Sequence, residues 1–316
     1  SPSVCQCFMT GREHHLLPLL KGTLFLPYAT ALRMGNFGYQ NSAQKQLGIH
    51  YNTMSGYLEG LQKAVKTPYA PFSHLGLTDE QGEPIQINDH VLQIENEYYS
   101  LVRPKQVPKA GETPSQALEN RGVGYVELRA VDVNPYSSIG IDENTAAFLE
   151  VLALHCLLQD SPDLLDKEQL QIERNQAEVV NRGRAPNASI IDATGEHPIE
   201  AWSRMQVIAM QPLADLLDAT YTTDLYSAAL ALMLKRIDEV DETLSAQVIA
   251  DTLENGGTWG FGSLMAQQHA MSYEQHPLSP ETLSYFDDLA VQSLQQQQQL
   301  EQDSSLSFEQ YLADYR

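Results

Sequence analysis

The character of this sequence changes at Asp142, and that change narrows the folds open to it. Upstream, glycine, proline and aromatic residues interrupt short alternating segments. Downstream, apolar residues recur at helical spacing in one segment after another. "DENTAAFLEVLALHCLLQD" (142–160) predicts an apolar helix with an acidic start, and "SPDLLDKEQLQIERNQAEVVNRG" (161–183) a second that ends at Gly183. Further helices are predicted over 197–220, 221–239, 241–257 and 279–302, the last carrying a glutamine run that reads as a solvated face. Upstream, only "NTMSGYLEGLQKAVKTP" (52–68) has helical spacing, with Asn52 or Thr53 as its cap. The expected class is therefore α+β. We expect a mixed, sheet-bearing part over 1–141 and a helical region over 142–316 packed on it.

Composition excludes several classes. The 316 residues are 42% hydrophobic, enough for a sizeable core, and carry a formal net charge of −22. That charge argues against nucleic acid or an anionic membrane as partner. The longest apolar run, around "FLEVLALHCLL", is interrupted by Glu150 and His155, so no spanning helix is predicted. Cys5 and Cys7 stand too close in sequence for an easy mutual bridge, and Cys156 reads as a buried helix residue. An odd, small number of cysteines suits a cytoplasmic protein. His14-His15 lacks further zinc ligands, and "NGGTWGFG" (255–262), without a lysine, reads as a helix end and turn. The opening "SPSVCQCFMTG" reads as the interior of a longer protein, so we expect a segment before it.

Two alternating stretches carry chemistry. In "GYVELRAVDVNPYSSIGI" (124–141) strand parity puts Glu127 and Arg129 on one face and Val126, Leu128, Ala130 and Asp132 on the other. Charges among apolar neighbours need partners. Either the two make a salt bridge at a strand edge, or they handle a metal and an anion. "HVLQIENEYYSLVRPK" (90–105) predicts a second strand, with Gln93, Glu95, Glu97, Tyr99, Leu101 and Arg103 on one face. In a shared sheet, carboxylates and arginines of neighbouring strands, about 4.8 Å apart, could meet around one ligand. Carboxylates suit Mg²⁺ and the arginine fork suits phosphate, so the pattern points to a Mg-nucleotide site on an antiparallel sheet.

Four segments in this order resemble the C-terminal part of proteobacterial-type glutamate–cysteine ligase. They are "LPYATALRMGNFGYQN" (26–41), "IQINDHVLQIENEYYSLVRPK" (85–105), "GETPSQALENRGV" (111–123) and "GYVELRAVDVNPYSSIGI" (124–141). The likeness continues, more weakly, through "VVNRGRAP" and "DTLENGGTWGFG". The resemblance implies a glutamine-synthetase-like curved antiparallel sheet, incomplete in this chain, flanked by helices. It implies joining of the glutamate γ-carboxylate to the cysteine amine through a γ-glutamyl phosphate made from ATP, the first step of glutathione biosynthesis. It assigns Glu127 to Mg²⁺ (Mn²⁺ being the other candidate metal), Arg129 to phosphate as the catalytic residue, Arg33 to a substrate carboxylate, and Tyr39 and Tyr99 to the cysteine pocket. Glu95 and Glu97 receive no family role and stand as outer-shell candidates.

The family also has an N-terminal segment that bears further metal-binding carboxylates, a histidine ligand and parts of the glutamate and nucleotide sites. We expect that segment in cis or in trans, and little activity from this chain alone. Two other readings stay open: a related carboxylate–amine ligase with another amine, and a non-catalytic interaction module. On the ligase reading, Arg33, Tyr39, Tyr99, Glu127 and Arg129 should share one concave surface.

Overall fold

The computed structural model describes residues 3–11, 13–35, 47–109, 111–303 and 306–315. Its strands are β1 (Ser3–Cys5), β2 (Leu17–Leu20), β3 (Thr23–Phe25), β4 (Val102–Lys105), β5 (Tyr125–Leu128), β6 (Ser189–Asp192) and β7 (Gly195–Pro198). Its first helices are α1 (Met54–Ala64), α2 (Ala70–Leu75), α3 (Pro114–Arg121), α4 (Glu143–Leu158), α5 (Asp166–Arg182) and α6 (Ile199–Ala209). Then come α7 (Gln211–Tyr221), α8 (Leu225–Asp238), α9 (Leu244–Glu254), α10 (Thr258–Gln275), α11 (Pro280–Asp303) and α12 (Phe308–Tyr315). The class is α+β, as expected. Among the described residues the strands form three small sheets: β1-β3-β2, β4-β5 and β6-β7.

The chain forms two compact units, Ser1–Gln40 with Ser100–Pro104 and Val126–Gln267, and Asn41–Tyr99 with Lys105–Tyr125 and Gln268–Arg316. In the first, α4, α6, α7 and α8 enclose Val151, Val207, Met210, Ala214 and Leu230. A second cluster, Val4, Met9, Leu16, Leu24, Leu26 and Ala29, lies on the three-stranded sheet. Of the stretch 255–262, predicted to be a helix end and turn, only 255–257 are so and 258–262 open α10: Gly256 has φ +74°, and a side chain on Gly257 would meet the Thr23 hydroxyl. In the second unit Tyr57, Leu58 and Leu61 of α1 pack with Leu92, Tyr98 and Leu118. Thr53 caps α1 by accepting the Gly56 amide at 3.0 Å, as the sequence predicts.

Several expectations need correction. The strand predicted over 90–105 survives only as β4; residues 95–97 are a 3₁₀ turn. Side chains satisfy its backbone locally: Glu97 accepts the Gln93 amide at 2.7 Å, and Asn88 donates to the Gln93 carbonyl at 3.0 Å. Glu95 accepts the Ser115 amide at 2.8 Å near the start of α3, which gives it a capping role. Cys5 and Cys7 are bridged, because the turn after β1 brings their Cα atoms to 5.3 Å. Cys156 is exposed on α4. The region 197–220 breaks into α6 and α7 ahead of Pro212, and a hairpin, β6-β7, interrupts the helical half.

Asp142 starts α4, accepting the Thr145 amide at 2.7 Å and the Asn134 side chain at 2.8 Å. Burial pushes its carboxyl up, but the Thr145 and Asn134 hydrogen bonds outweigh this and leave it below its ordinary range. A carboxyl depressed in the folded state adds stability above its unfolded pKa, about 3.9. The addition is lost as pH falls through the folded value. Asp142→Ala should therefore cost about 1 kcal/mol at pH 7 and less below pH 4. Urea unfolding of both forms across that range checks this; a pH-independent difference would contradict it.

Candidate active site

The candidate site is built on β5 and the chain that follows it. β5 pairs with β4: the Gly124 amide donates to the Lys105 carbonyl at 2.8 Å, and the Arg129 amide to the Leu101 carbonyl at 2.7 Å. The pairing is antiparallel, since the partner numbers fall as the strand advances. The two stretches therefore share a sheet, through β4 and β5 alone. Glu127 and Arg129 meet as parity requires, with Nε of Arg129 donating to Oε1 of Glu127 at 3.1 Å. Both are half-buried. Their apolar neighbours Tyr125, Val126 and Leu128 are exposed, so both faces of β5 carry open apolar surface.

After β5 the chain leaves the sheet and closes a turn. Asn134, itself buried, takes the Tyr136 amide on its side-chain oxygen at 3.0 Å. Its own amide donates to the Gly140 carbonyl at 2.8 Å, and Gly140 has φ +81°. The Tyr136 hydroxyl donates to Asp251 of α9 at 2.6 Å, and its ring lies 5.9 Å from that of Phe261. Burial, and then the bond to Asp251, push the phenol up. The turn at Asn134-Pro135 is thus fastened to the starts and sides of two helices rather than left loose.

The segment carrying Arg33 has neither helix nor strand over 26–33. Asp132 reaches it: one carboxylate oxygen accepts the Leu32 amide at 2.7 Å and the other the Arg33 amide at 2.6 Å. The Arg33 side chain is exposed, and among the described residues no carboxylate meets its guanidinium. Tyr39 lies outside the described residues. Tyr99 belongs to the other unit, half-buried beside the core residue Tyr98. The structure therefore pairs Glu127 with Arg129 and ties the Arg33 backbone to Asp132, three residues beyond Arg129. Asp132 and Asn134 escaped assignment from sequence. The signal for Asp132 was there, since parity left a lone carboxylate in an apolar row.

The sequence leads to a metal at Glu127. A carboxylate is the right kind of ligand for Mg²⁺, but among the described residues no three His, Cys, Asp or Glu side chains gather into a metal centre.

Residues 1–179 match the family model described as glutamate-cysteine ligase. The chain belongs to the glutamate–cysteine ligase family. A ligase of this family from Saccharophagus degradans is 40% identical over 318 residues, and one from Azotobacter vinelandii is 40% identical over 317. Both alignments take in 100% of this chain and 60% of the relative. The chain thus spans about three-fifths of the length of these ligases. The crystal structure of a Francisella tularensis glutamate–cysteine ligase, a complex with AMP, matches with a TM-score of 0.91 at 30% identity. It covers 100% of this chain and 62% of that one. The glutamine-synthetase-like class expected from the resemblance stands with this family. No helix among the described residues is long and apolar enough to cross a membrane.

The fastening of the turn can be measured. Tyr136→Phe removes one hydrogen bond from a half-buried carboxylate partner and should destabilise the first unit by about 1–2 kcal/mol in urea unfolding. A change below about 0.3 kcal/mol would show that the Asp251 contact is incidental.

Proposed function

We propose that this chain supplies part of the active site of an ATP-dependent ligase that joins the γ-carboxylate of glutamate to the amine of cysteine. Family membership supports the reaction. The single observation that supports the site is the Glu127–Arg129 pair on a strand whose following residues hold the Arg33 segment. In the proposed reaction a γ-carboxylate oxygen attacks the terminal phosphorus of ATP, and the bond to ADP breaks. The cysteine amine then attacks the acyl carbon, loses a proton, and phosphate leaves.

Arg129 neutralises phosphate oxygens while charge moves onto them, a task that rewards a planar fork with two parallel donors. Its contact with Glu127 holds that fork in place. Arg33 meets a substrate carboxylate, and Tyr39 and Tyr99 line the cysteine pocket. Glu127 would offer one carboxylate oxygen to Mg²⁺, an ion that would supply screening of phosphate charge. The sheet-bearing part over 1–141 would carry these groups and the helical part over 142–316 would brace them. The enzyme would act in the cytoplasm, the compartment that a small, odd number of cysteines suits.

We also infer that the remaining family length, in the same polypeptide or as a second one, covers apolar surface that this chain leaves open. Such surface lies on β5, where Tyr125, Val126 and Leu128 are exposed, and on α11, which has no buried residue and exposes Leu283, Phe286, Leu289 and Leu294.

Residues 1–316 alone should self-associate and make no γ-glutamylcysteine from glutamate, cysteine and Mg-ATP. Adding the remaining family length should restore both monodispersity and product. Full activity from a monodisperse 1–316 would refute this. In the family-length protein Arg129→Lys should cost about 2–3 kcal/mol of transition-state stabilisation, or about 30- to 150-fold in kcat. Kinetics within twofold of the parent would rule out a phosphate role for Arg129.

A further inference from the structure

The stretch 26–33 is irregular, yet its backbone polar groups are taken up by two charged side chains and one helix end. Arg184, nine-tenths buried, donates from Nε to the Ala29 carbonyl at 3.2 Å and from a terminal nitrogen to the Pro27 carbonyl at 2.5 Å. Its own amide donates to the Tyr28 carbonyl at 3.0 Å. Among the described residues no carboxylate lies within ion-pairing distance of it; Asp241 acts from farther away, and burial draws the guanidinium below its ordinary value. A buried guanidinium is costly unless its donors are met, and here backbone carbonyls meet two of its nitrogens.

Next along the chain, Thr30 closes the C-terminal end of α5. Its amide donates to the Val180 carbonyl at 2.9 Å and its hydroxyl to the Val179 carbonyl at 2.7 Å. The approach is so close that a side chain on Gly183 would meet the Thr30 methyl at 2.7 Å as well as the Val179 carbonyl. Two residues further on, Asp132 takes the Leu32 and Arg33 amides. A cation thus holds carbonyls at one end of the stretch, and an anion holds amides at the other. A single backbone conformation of 26–33 satisfies all of them.

We propose that Asp132 and Arg184 are positioning residues that set where the Arg33 guanidinium stands for its substrate carboxylate. Arg184 falls outside the residues 1–179 that the family model matches. The inference rests on the function proposed above. It extends that reading by making the affinity for the amino-acid substrate depend on two groups that never touch it. Asp132→Asn keeps the size but replaces one acceptor with an amide that confronts a backbone N–H. Arg184→Met keeps much of the buried stem and removes the fork.

The test uses the family-length protein, with hydrogen exchange read by mass spectrometry and steady-state kinetics on the same samples. In Asp132→Asn, amides over 26–33 should exchange at least tenfold faster while α4 and α8 stay protected. KM for one amino-acid substrate should rise about tenfold, with kcat changed less than threefold and KM for ATP steady. Asp132→Glu should recover part of that KM. Arg184→Met should show the same pattern, and Asp132→Asn carries the test if that variant does not fold. Unchanged exchange over 26–33 overturns the clamp. Faster exchange with unchanged KM overturns its role in substrate binding, as does an equal fall in kcat with every KM steady. A parent protein with no ligase activity overturns the functional reading, and with it the substrate role of Arg33, whatever the exchange shows.

Discussion

The carboxylate of Asp132, shared between two successive amides, is the contact on which the candidate site depends. The arginine at position 33 sits on chain without helix or strand, so no ladder of backbone hydrogen bonds holds it. Irregular backbone keeps a fixed course only where its donors and acceptors find partners. Asp132 supplies them at one end and Arg184 at the other, and α5 closes the middle through Thr30. Asp132 is in turn fixed by what flanks it. On one side is β5, paired to β4; on the other is the Asn134 turn, tied to Asp142 of α4 and to Asp251 of α9. Removing one link would loosen the others, because each supports a neighbour rather than a separate patch of core.

The helical half was largely legible in the sequence because capping and apolar spacing are local signals. Thr53, Asp142 and Gly183 mark helix ends where they were expected. The break between α6 and α7 also had its signal, in Pro212. Alternation around Glu127 and Arg129 correctly placed them side by side. It misled over 90–101, where Glu97 and Asn88 bond the backbone themselves and replace a ladder with turns. Parity could not show that Asp132 and Arg184 converge on the stretch 26–33 from about 100 and 155 residues away. Such long-range bonds leave no period in the sequence, only an odd charge in an apolar row.

The open surfaces follow from the same reasoning. Tyr125, Val126 and Leu128 alternate across β5 yet all are exposed, and the apolar residues of α11 are exposed along its length. In a chain that spans three-fifths of its relatives, such faces fit contact with the remaining family length. On the proposed function, the Glu127 carboxylate would follow the same logic, as one donor in a metal shell that other residues and ATP would complete.

Whether Asp132 acts through Arg33 can be decided by a double-mutant cycle in the family-length protein. The measurement is KM for each amino-acid substrate in Asp132→Asn, Arg33→Ala and the combined variant. If the carboxylate matters only because it places the guanidinium, the combined variant should match Arg33→Ala within twofold. Effects that multiply, so that the combined KM is the product of the two separate increases, would contradict the account and show that the two residues act independently.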